Sequence, residues 1–273
     1  MRAQYSEVNR QALPQILHPL LDRTLVIVAH PDDETIACGG LMQFMREPCV
    51  VFATDGAPAD EYWWKKHGTR ADYASLRQRE ARSALRAVGV ERVCFLGDCE
   101  REPHEFSDQR LYLVLDRAYD EILAFAGEFK PDALLTLAYE GGHPDHDSAA
   151  FLASRAGIAL GCPVYEAPLY HRVEGQSHHQ DWTCPAGESA ELPVKDEVLA
   201  RKKAMLAQYR SQFTTLSEGF RPEVERFRVQ AHYDWSQPPH PGRLNYEAWG
   251  WNISASDVCE AFRQFDERHA KAA

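Results

Sequence analysis

The sequence LVIVAHPDDE, residues 25–34, joins a short apolar run to a cluster of polar residues. The run at residues 25–29 has the length and composition of one buried strand. The acidic residues that follow Pro31 suit the positively charged N-terminus of a helix, and proline itself fits the first helical turn. We therefore expect a strand that leads through a short polar turn into a helix.

The same alternation of strand and helix continues along the chain. Further apolar runs predict strands at residues 49–54, 92–96, 133–137 and 164–169, and amphipathic segments predict helices at residues 35–46, 72–88, 109–129, 147–160, 195–213 and 255–268. Apolar strands that alternate with helices predict an α/β fold, a Rossmann-like three-layer sandwich with a mostly parallel sheet.

The end of the chain has a looser pattern. Residues 171–187 are polar and rich in histidine, which predicts a surface loop, and residues 222–251 are rich in proline and aromatic residues, which suggests an extended flap. We expect residues 1–273 to form a single domain, with a core at about 22–215 and an aromatic-rich C-terminal extension at 216–273 packed on it.

Composition excludes several classes of function. The formal net charge of −11 disfavours nucleic acid and anionic lipid as partners. No segment reaches the roughly 20 apolar residues of a membrane span, and the N-terminus lacks a secretory signal pattern. The seven cysteines form no CxxC pair, so we expect neither a cysteine zinc site nor a disulfide framework. A cytoplasmic protein is expected; its oligomeric state stays open, with a homo-oligomer among the alternatives.

A second polar cluster, GGHPDHD at residues 141–147, follows the fourth predicted strand. Both clusters should lie at the carboxyl edge of the sheet, where α/β proteins bind ligands. Histidine and carboxylate groups there can supply the three protein ligands of a catalytic Zn²⁺. The remaining groups could then act as a general base and as an oxyanion stabiliser. Taken singly, each cluster has a simpler explanation, namely acidic helix capping or solvated loop histidines.

The two motifs together resemble the LmbE-like, or PIG-L, family of zinc-dependent N-deacetylases. The family signatures AHPDDE and HPDH stand complete at residues 29–34 and 143–146. The segment at residues 77–90 resembles the family's RxxE helix, and residues 203–212 resemble a later helix in which Tyr209 replaces a common histidine. The similarity covers about residues 22–215.

The resemblance implies a role for each motif residue. It implies zinc ligands His30, Asp33 and His146, a general base Asp32, an oxyanion stabiliser and acid His143 tuned by Asp145, and a substrate contact Arg77. The residues themselves add Asp98, which follows the third predicted strand and either meets sugar hydroxyls or makes a turn. Trp249 and Trp251 could stack on a sugar, but we expect them to pack in the core.

These features predict a zinc-dependent amidohydrolase that removes an acyl group, most simply acetyl, from a small amino-sugar-like or natural-product substrate. A metal-dependent phosphoesterase is an alternative, because clusters of histidine and aspartate also suit two-metal chemistry. A non-catalytic nucleotide-binding module is the third alternative, although no GxGxxG follows the first strand.

Overall fold

A seven-stranded sheet forms the middle layer of the protein, whose computed structural model describes residues 7–97, 105–216 and 219–271. The strand order is β3-β2-β1-β4-β5-β9-β8, and β6 and β7 form a separate hairpin. The strands are β1 (Arg23–Val28), β2 (Glu47–Phe52), β3 (Arg92–Phe95), β4 (Ala133–Leu137), β5 (Val164–Ala167), β6 (Tyr170–Val173), β7 (Gln176–His179), β8 (Ser189–Pro193) and β9 (Val224–Val229). The first five are parallel, whereas β9 and β8 extend the sheet in antiparallel fashion.

Helices cover both faces of this sheet. They are α1 (Glu7–Gln11), α2 (Asp33–Cys38), α3 (Glu61–Trp64), α4 (Arg70–Ala87), α5 (Leu115–Phe129), α6 (Pro144–Leu160), α7 (Asp196–Leu206), α8 (Phe213–Leu216), α9 (Asn245–Ala248) and α10 (Ala255–Ala270). Short 3-10 turns lie at Gln15–Leu21, Leu41–Phe44, Lys65–His67, Leu111–Leu113 and Arg210–Gln212.

Alternate residues of β1 supply the two cores. Val26 and Val28 pack on one face with α2, α4 and α7, and Leu25 and Ile27 pack on the other with α5, α6 and α10. This arrangement follows from the alternation of side chains along a strand. The predicted α/β sandwich is confirmed.

The predicted helix at residues 35–46 is wrong beyond Cys38. The carboxylate of Glu225 accepts hydrogen bonds from the backbone amides of Gly40, at 2.6 Å, and Leu41, at 2.8 Å. A Cβ at Gly40 would lie 2.7 Å from Val194 Cγ2, which only glycine avoids. The helix therefore ends where its amides meet a carboxylate from the antiparallel edge of the sheet.

Two predictions for the later part of the chain also need correction. The expected loop at residues 171–187 contains most of the β6–β7 hairpin, and the expected flap at residues 222–251 contains β9. Strand β9 carries two buried charged residues, so its sequence lacks the continuous apolar run from which the other strands were predicted. Glu225 pairs with Lys202 at 2.6 Å, and Arg228 pairs with Glu166 at 2.7 Å.

The C-terminal helix packs firmly on the α/β layers. Phe262 of α10 stacks on Phe151 of α6, with ring centroids 4.3 Å apart, and Trp235 contacts both rings. None of the described helices is both long and apolar enough to cross a bilayer.

Candidate active site

The first polar motif begins where β1 ends, at the carboxyl edge of the sheet. The backbone amide of His30 donates a hydrogen bond of 2.7 Å to the carboxylate of Asp33, which closes a tight turn. Between them Asp32 adopts φ 133°, a region that residues other than glycine rarely occupy. Such backbone strain concentrates at functional sites, where the surrounding structure enforces it.

The second motif follows β4 and opens α6. His143 is the N-cap residue, and its Nδ1 accepts a hydrogen bond of 3.1 Å from the backbone amide of Asp145. Gly142 precedes it, and a Cβ there would lie 1.9 Å from the carbonyl oxygen of Tyr170. The close approach of the β6–β7 hairpin therefore requires glycine at this position.

The structure brings together the three predicted metal ligands. His30 Nδ1 lies 3.2 Å from His146 Nε2 and 3.5 Å from Asp33 Oδ2, and His146 Nε2 lies 3.3 Å from Asp33 Oδ1. All three side chains are buried. Donor atoms bound at their usual lengths to one tetrahedral Zn²⁺ lie about 3.3 Å from one another. One or the other oxygen of Asp33 thus lies within reach of an ion held by His30 and His146, and His30, His143 and His146 also place one ring nitrogen each within 4.8 Å of one another.

The charges around His30 also favour a cation. Burial acts to lower the pKa of His30, but the facing carboxylates of Asp108, Asp145 and Asp33 outweigh it and raise the pKa well above its ordinary value. Burial likewise acts to raise the pKa of Asp33, but the charges and hydrogen bonds of His146 and His30 lower it. The pocket thus stabilises positive charge where the donors converge.

The carboxylate of Asp32 is held beside this position by Arg77. Arg77 is buried, and its Nη2 lies 2.9 Å from Asp32 Oδ2. The same guanidinium donates to the carbonyl oxygens of Pro31 and Gly56, each at 2.7 Å. Burial raises the pKa of Asp32 to about 7, against the opposing charge of Arg77. Arg77 lines the cavity, but its main contacts fix the catalytic candidate Asp32.

Asp108, a residue of the loop before α5, also lies in the site, although the sequence did not predict it there. Its Oδ1 lies 3.3 Å from His30 Nε2 and 3.2 Å from His143 Nε2. Since His143 Nδ1 accepts a hydrogen bond, the proton of the neutral ring is on Nε2, which faces Asp108. No local motif marks Asp108; only the apolar run that becomes the Leu111–Leu113 turn suggests that this loop returns to the core.

The carboxylate of Asp145 contacts the ring of His30 more closely than that of His143. It is 3.1 Å from His30 Nε2 but 3.9 Å from His143 Nδ1, because that nitrogen already caps the helix. Asp145 also accepts hydrogen bonds from the backbone amides of Gln109, at 2.6 Å, and Leu111, at 2.9 Å. Asp145 therefore ties the loop that carries Asp108 to the metal-ligand candidate His30.

A cavity of about 350 Å³ opens above these residues. Trp249 and Trp251 line it, so the expected core position is wrong for Trp249, which is 49% exposed. Trp251 also packs against the core. The remaining substrate-contact candidate, Asp98, lies outside the described residues.

Comparison with known proteins shows that the part of the chain containing both motifs is similar to one family. The sequence profile of the GlcNAc-PI de-N-acetylase family, PIG-L, matches residues 25–157, which confirms the resemblance. The probable N-acetyl-alpha-D-glucosaminyl L-malate deacetylase 2 of Bacillus cereus is 26% identical over 218 residues, which are 78% of this chain and 93% of the relative. The 1D-myo-inositol 2-acetamido-2-deoxy-alpha-D-glucopyranoside deacetylase of Corynebacterium kroppenstedtii is 31% identical over 166 residues, or 53% of this chain and 42% of the relative.

A solved structure has the same fold. The crystal structure of the antimicrobial reagent A40926 pseudoaglycone deacetylase superimposes with a TM-score of 0.57 at 18% identity, covering 77% of this chain and 99% of that one. This likeness supports the architecture of the sheet and its helices.

Proposed function

Because residues 25–157 match the sequence profile of the PIG-L family, we propose that the chain is a zinc-dependent deacetylase. Its reaction is hydrolysis of the N-acetyl amide of a small molecule that contains an amino sugar, the class of compound on which the two named relatives act. The observation that carries the proposal is the convergence of His30, Asp33 and His146 beside a buried carboxylate and a second histidine.

His30, Asp33 and His146 would hold the ion through the nitrogen and oxygen atoms that face one another. A divalent ion held there would supply Lewis-acid chemistry, polarising the amide carbonyl and lowering the pKa of water. A catalytic site needs three protein ligands and one open position. His30, Asp33 and His146 all line the cavity, so water or substrate could reach an ion that they would hold. Asp145 orients His30 through its second nitrogen, as carboxylates do for metal-binding histidines.

Asp32 acts as the general base that takes a proton from the attacking water. Its side chain lines the cavity, and Arg77 and the strained backbone fix its direction. A carboxylate that is already held in place needs little rearrangement to accept the proton.

His143 acts on the other side of the scissile amide. Its Nε2–H faces the cavity region and can donate to the oxygen that gains negative charge when the carbonyl is attacked. The leaving amine can then take the proton that Asp32 accepted from the water, while Asp108, 3.2 Å from His143 Nε2, orients the ring.

The decisive experiment is Asp32→Asn, assayed by released acetate from N-acetylglucosamine and its glycosides. We expect about one zinc ion per chain to remain bound while kcat falls by about 10²–10⁴-fold. Asp120→Asn, an exposed change on α5, is the matched control. Full activity of the Asp32→Asn variant would remove Asp32 as the base.

Metal stoichiometry separates this proposal from the phosphoesterase alternative. Two-metal esterases hold their ions a few ångströms apart through shared ligands. One ion per active chain supports the deacetylase; two ions with turnover of a phosphate ester would replace it.

A further inference from the structure

Aromatic side chains form much of the wall of the active-site cavity. The rings are those of Trp63, Tyr73, Tyr170, Phe220, Trp249 and Trp251. The cavity volume, about 350 Å³, lies at the lower end of the range for small-molecule sites, roughly 300–1,000 Å³. A substrate somewhat larger than one sugar would therefore fill it and reach the rings at its opening.

This aromatic wall begins at the reactive groups themselves. The ring of Tyr170 lies 5.2 Å from that of His146, and the ring of Trp251 lies 5.0 Å from that of His143. Trp249 continues the wall, 5.0 Å from Trp251 and 6.1 Å from Tyr170. A substituent next to the reacting amide must pass along these rings.

The wall continues to the protein surface. Trp63 and Trp249 line the cavity yet are 40% and 49% exposed, so both stand at its opening. Tyr62 is in edge contact with Trp63, and Phe213 lies on the same short helix, α8, as the cavity residue Leu216. Large exposed apolar side chains that cluster together indicate a binding surface for an apolar ligand.

The charges of the described residues on the wall disfavour an anionic substituent. Among the described residues that line the cavity, Arg77 is the one arginine or lysine, and its two terminal nitrogens bind Asp32, Pro31 and Gly56. Asp108 is one of three carboxylates that also line the cavity. Away from the proposed ion, a negatively charged substituent would meet Asp32 and Asp108, and no other arginine or lysine among the described lining residues would offset them.

We infer that the substrate carries an uncharged apolar group, aromatic or alkyl, beside its N-acetylated amino sugar. The group packs against Trp63, Trp249 and Trp251, while the amide faces His30 and His143. This inference rests on the proposed function, and it separates the chain from a relative named for a malate-linked, and therefore dicarboxylate, sugar.

The test compares three glycosides of N-acetylglucosamine that differ only in the aglycone: methyl, phenyl and malyl. We expect kcat/KM for the phenyl glycoside to exceed that of the methyl glycoside by about tenfold or more, since burial of one ring supplies that much binding. We expect kcat/KM for the malyl glycoside to be lower than for either of the other two glycosides. Assays at low and high salt check that charge repulsion is the cause, because salt weakens it.

Two variants at one position sharpen the comparison. Trp249→Ala should lower the ratio of phenyl to methyl kcat/KM several-fold, and Trp249→Arg should raise the relative rate of the malyl glycoside. Ile158→Ala removes an exposed apolar side chain from α6 and should leave both ratios as they are in the parent protein.

The outcomes separate the two proposals. Acetate release from all three glycosides at equal rates, or fastest from the malyl glycoside, would overturn the inference and leave the deacetylase intact. No acetate from any N-acetylated sugar, with zinc bound, would overturn the proposed function and the inference with it.

Discussion

The phenol of Tyr209 donates a hydrogen bond to the carboxylate of Glu34. The other oxygen of Glu34 accepts a hydrogen bond of 3.1 Å from the backbone amide of Asp32, the residue with φ 133°. Thr35 also donates to Glu34, so this buried carboxylate connects the side chains of Tyr209 and Thr35 to the backbone of Asp32. Tyr209 thus supports the strained backbone of the proposed base from a distant part of the chain.

Tyr209→Phe should weaken catalysis without removing the metal. Loss of one buried hydrogen bond is worth about 0.5–1.5 kcal/mol, so we expect kcat to fall by up to about tenfold while KM changes little. The measurement is steady-state kinetics together with zinc content. Tyr165→Phe, on β5, is the matched control. A lower melting temperature with kcat unchanged would show that Tyr209 acts on stability alone.

Removal of the metal should abolish activity and lower stability. Dialysis against a chelator is expected to stop acetate release, and added Zn²⁺ should restore it. An ion at about 100 times its Kd stabilises the folded chain by about 2.7 kcal/mol, so calorimetry should show a higher melting temperature with zinc. In the His146→Ala variant, added zinc should neither restore activity nor raise the melting temperature. In the His232→Ala variant, changed at an exposed residue, zinc should still do both. Undiminished activity after metal removal would contradict the proposed mechanism.

Asp108→Asn should reduce kcat/KM while zinc remains bound. The carboxylate lies within 3.3 Å of both His30 Nε2 and His143 Nε2, and losing its charge beside these two nitrogens should cost about 1.5–3 kcal/mol. We therefore expect a loss of about 10- to 100-fold. Asp120→Asn again serves as the control. Kinetics equal to those of the parent protein would show that Asp108 has no part in the reaction.

Glu225→Gln should destabilise the fold strongly. The change leaves the buried ammonium of Lys202 without its carboxylate and weakens the contacts to Gly40 and Leu41, which predicts a loss of about 3–5 kcal/mol. Denaturant unfolding measures it.

The chain offers a matched exposed pair for this experiment. Lys203 and Glu223 lie 3.4 Å apart and are each 55% exposed at their side chains. Glu223→Gln should cost no more than about 1 kcal/mol. Similar losses for the two variants would contradict the role given to the buried pair.

The parallel part of the sheet could be predicted because its strands are continuous apolar runs. The polar motifs at residues 29–34 and 141–147 directly follow two of these runs, so their meeting at one sheet edge also follows from the sequence. The family resemblance added the individual roles, and the structure places His30, Asp33 and His146 within reach of one ion.

The remaining features depend on contacts that local sequence does not encode. Strand β9 has charged residues at inward positions, and only the distant partners Lys202 and Glu166 make this burial favourable. Asp108 reaches the site because Asp145 binds the backbone on either side of Arg110. The sequence does not distinguish a cavity-lining Trp249 from a core aromatic residue, because the segment around it has no regular pattern that would show which side chains face inward.

The catalytic groups and the aromatic wall of the active site come from different parts of the chain. The groups that would perform hydrolysis lie on turns that leave β1 and β4, whereas most of the aromatic wall comes from residues after 168. Changes in that later part can reshape what the cavity accepts without disturbing the turns. Relatives that share the first half of this chain could therefore diverge in substrate while keeping one chemistry, and transplanting the later segment between them offers a route to new selectivity.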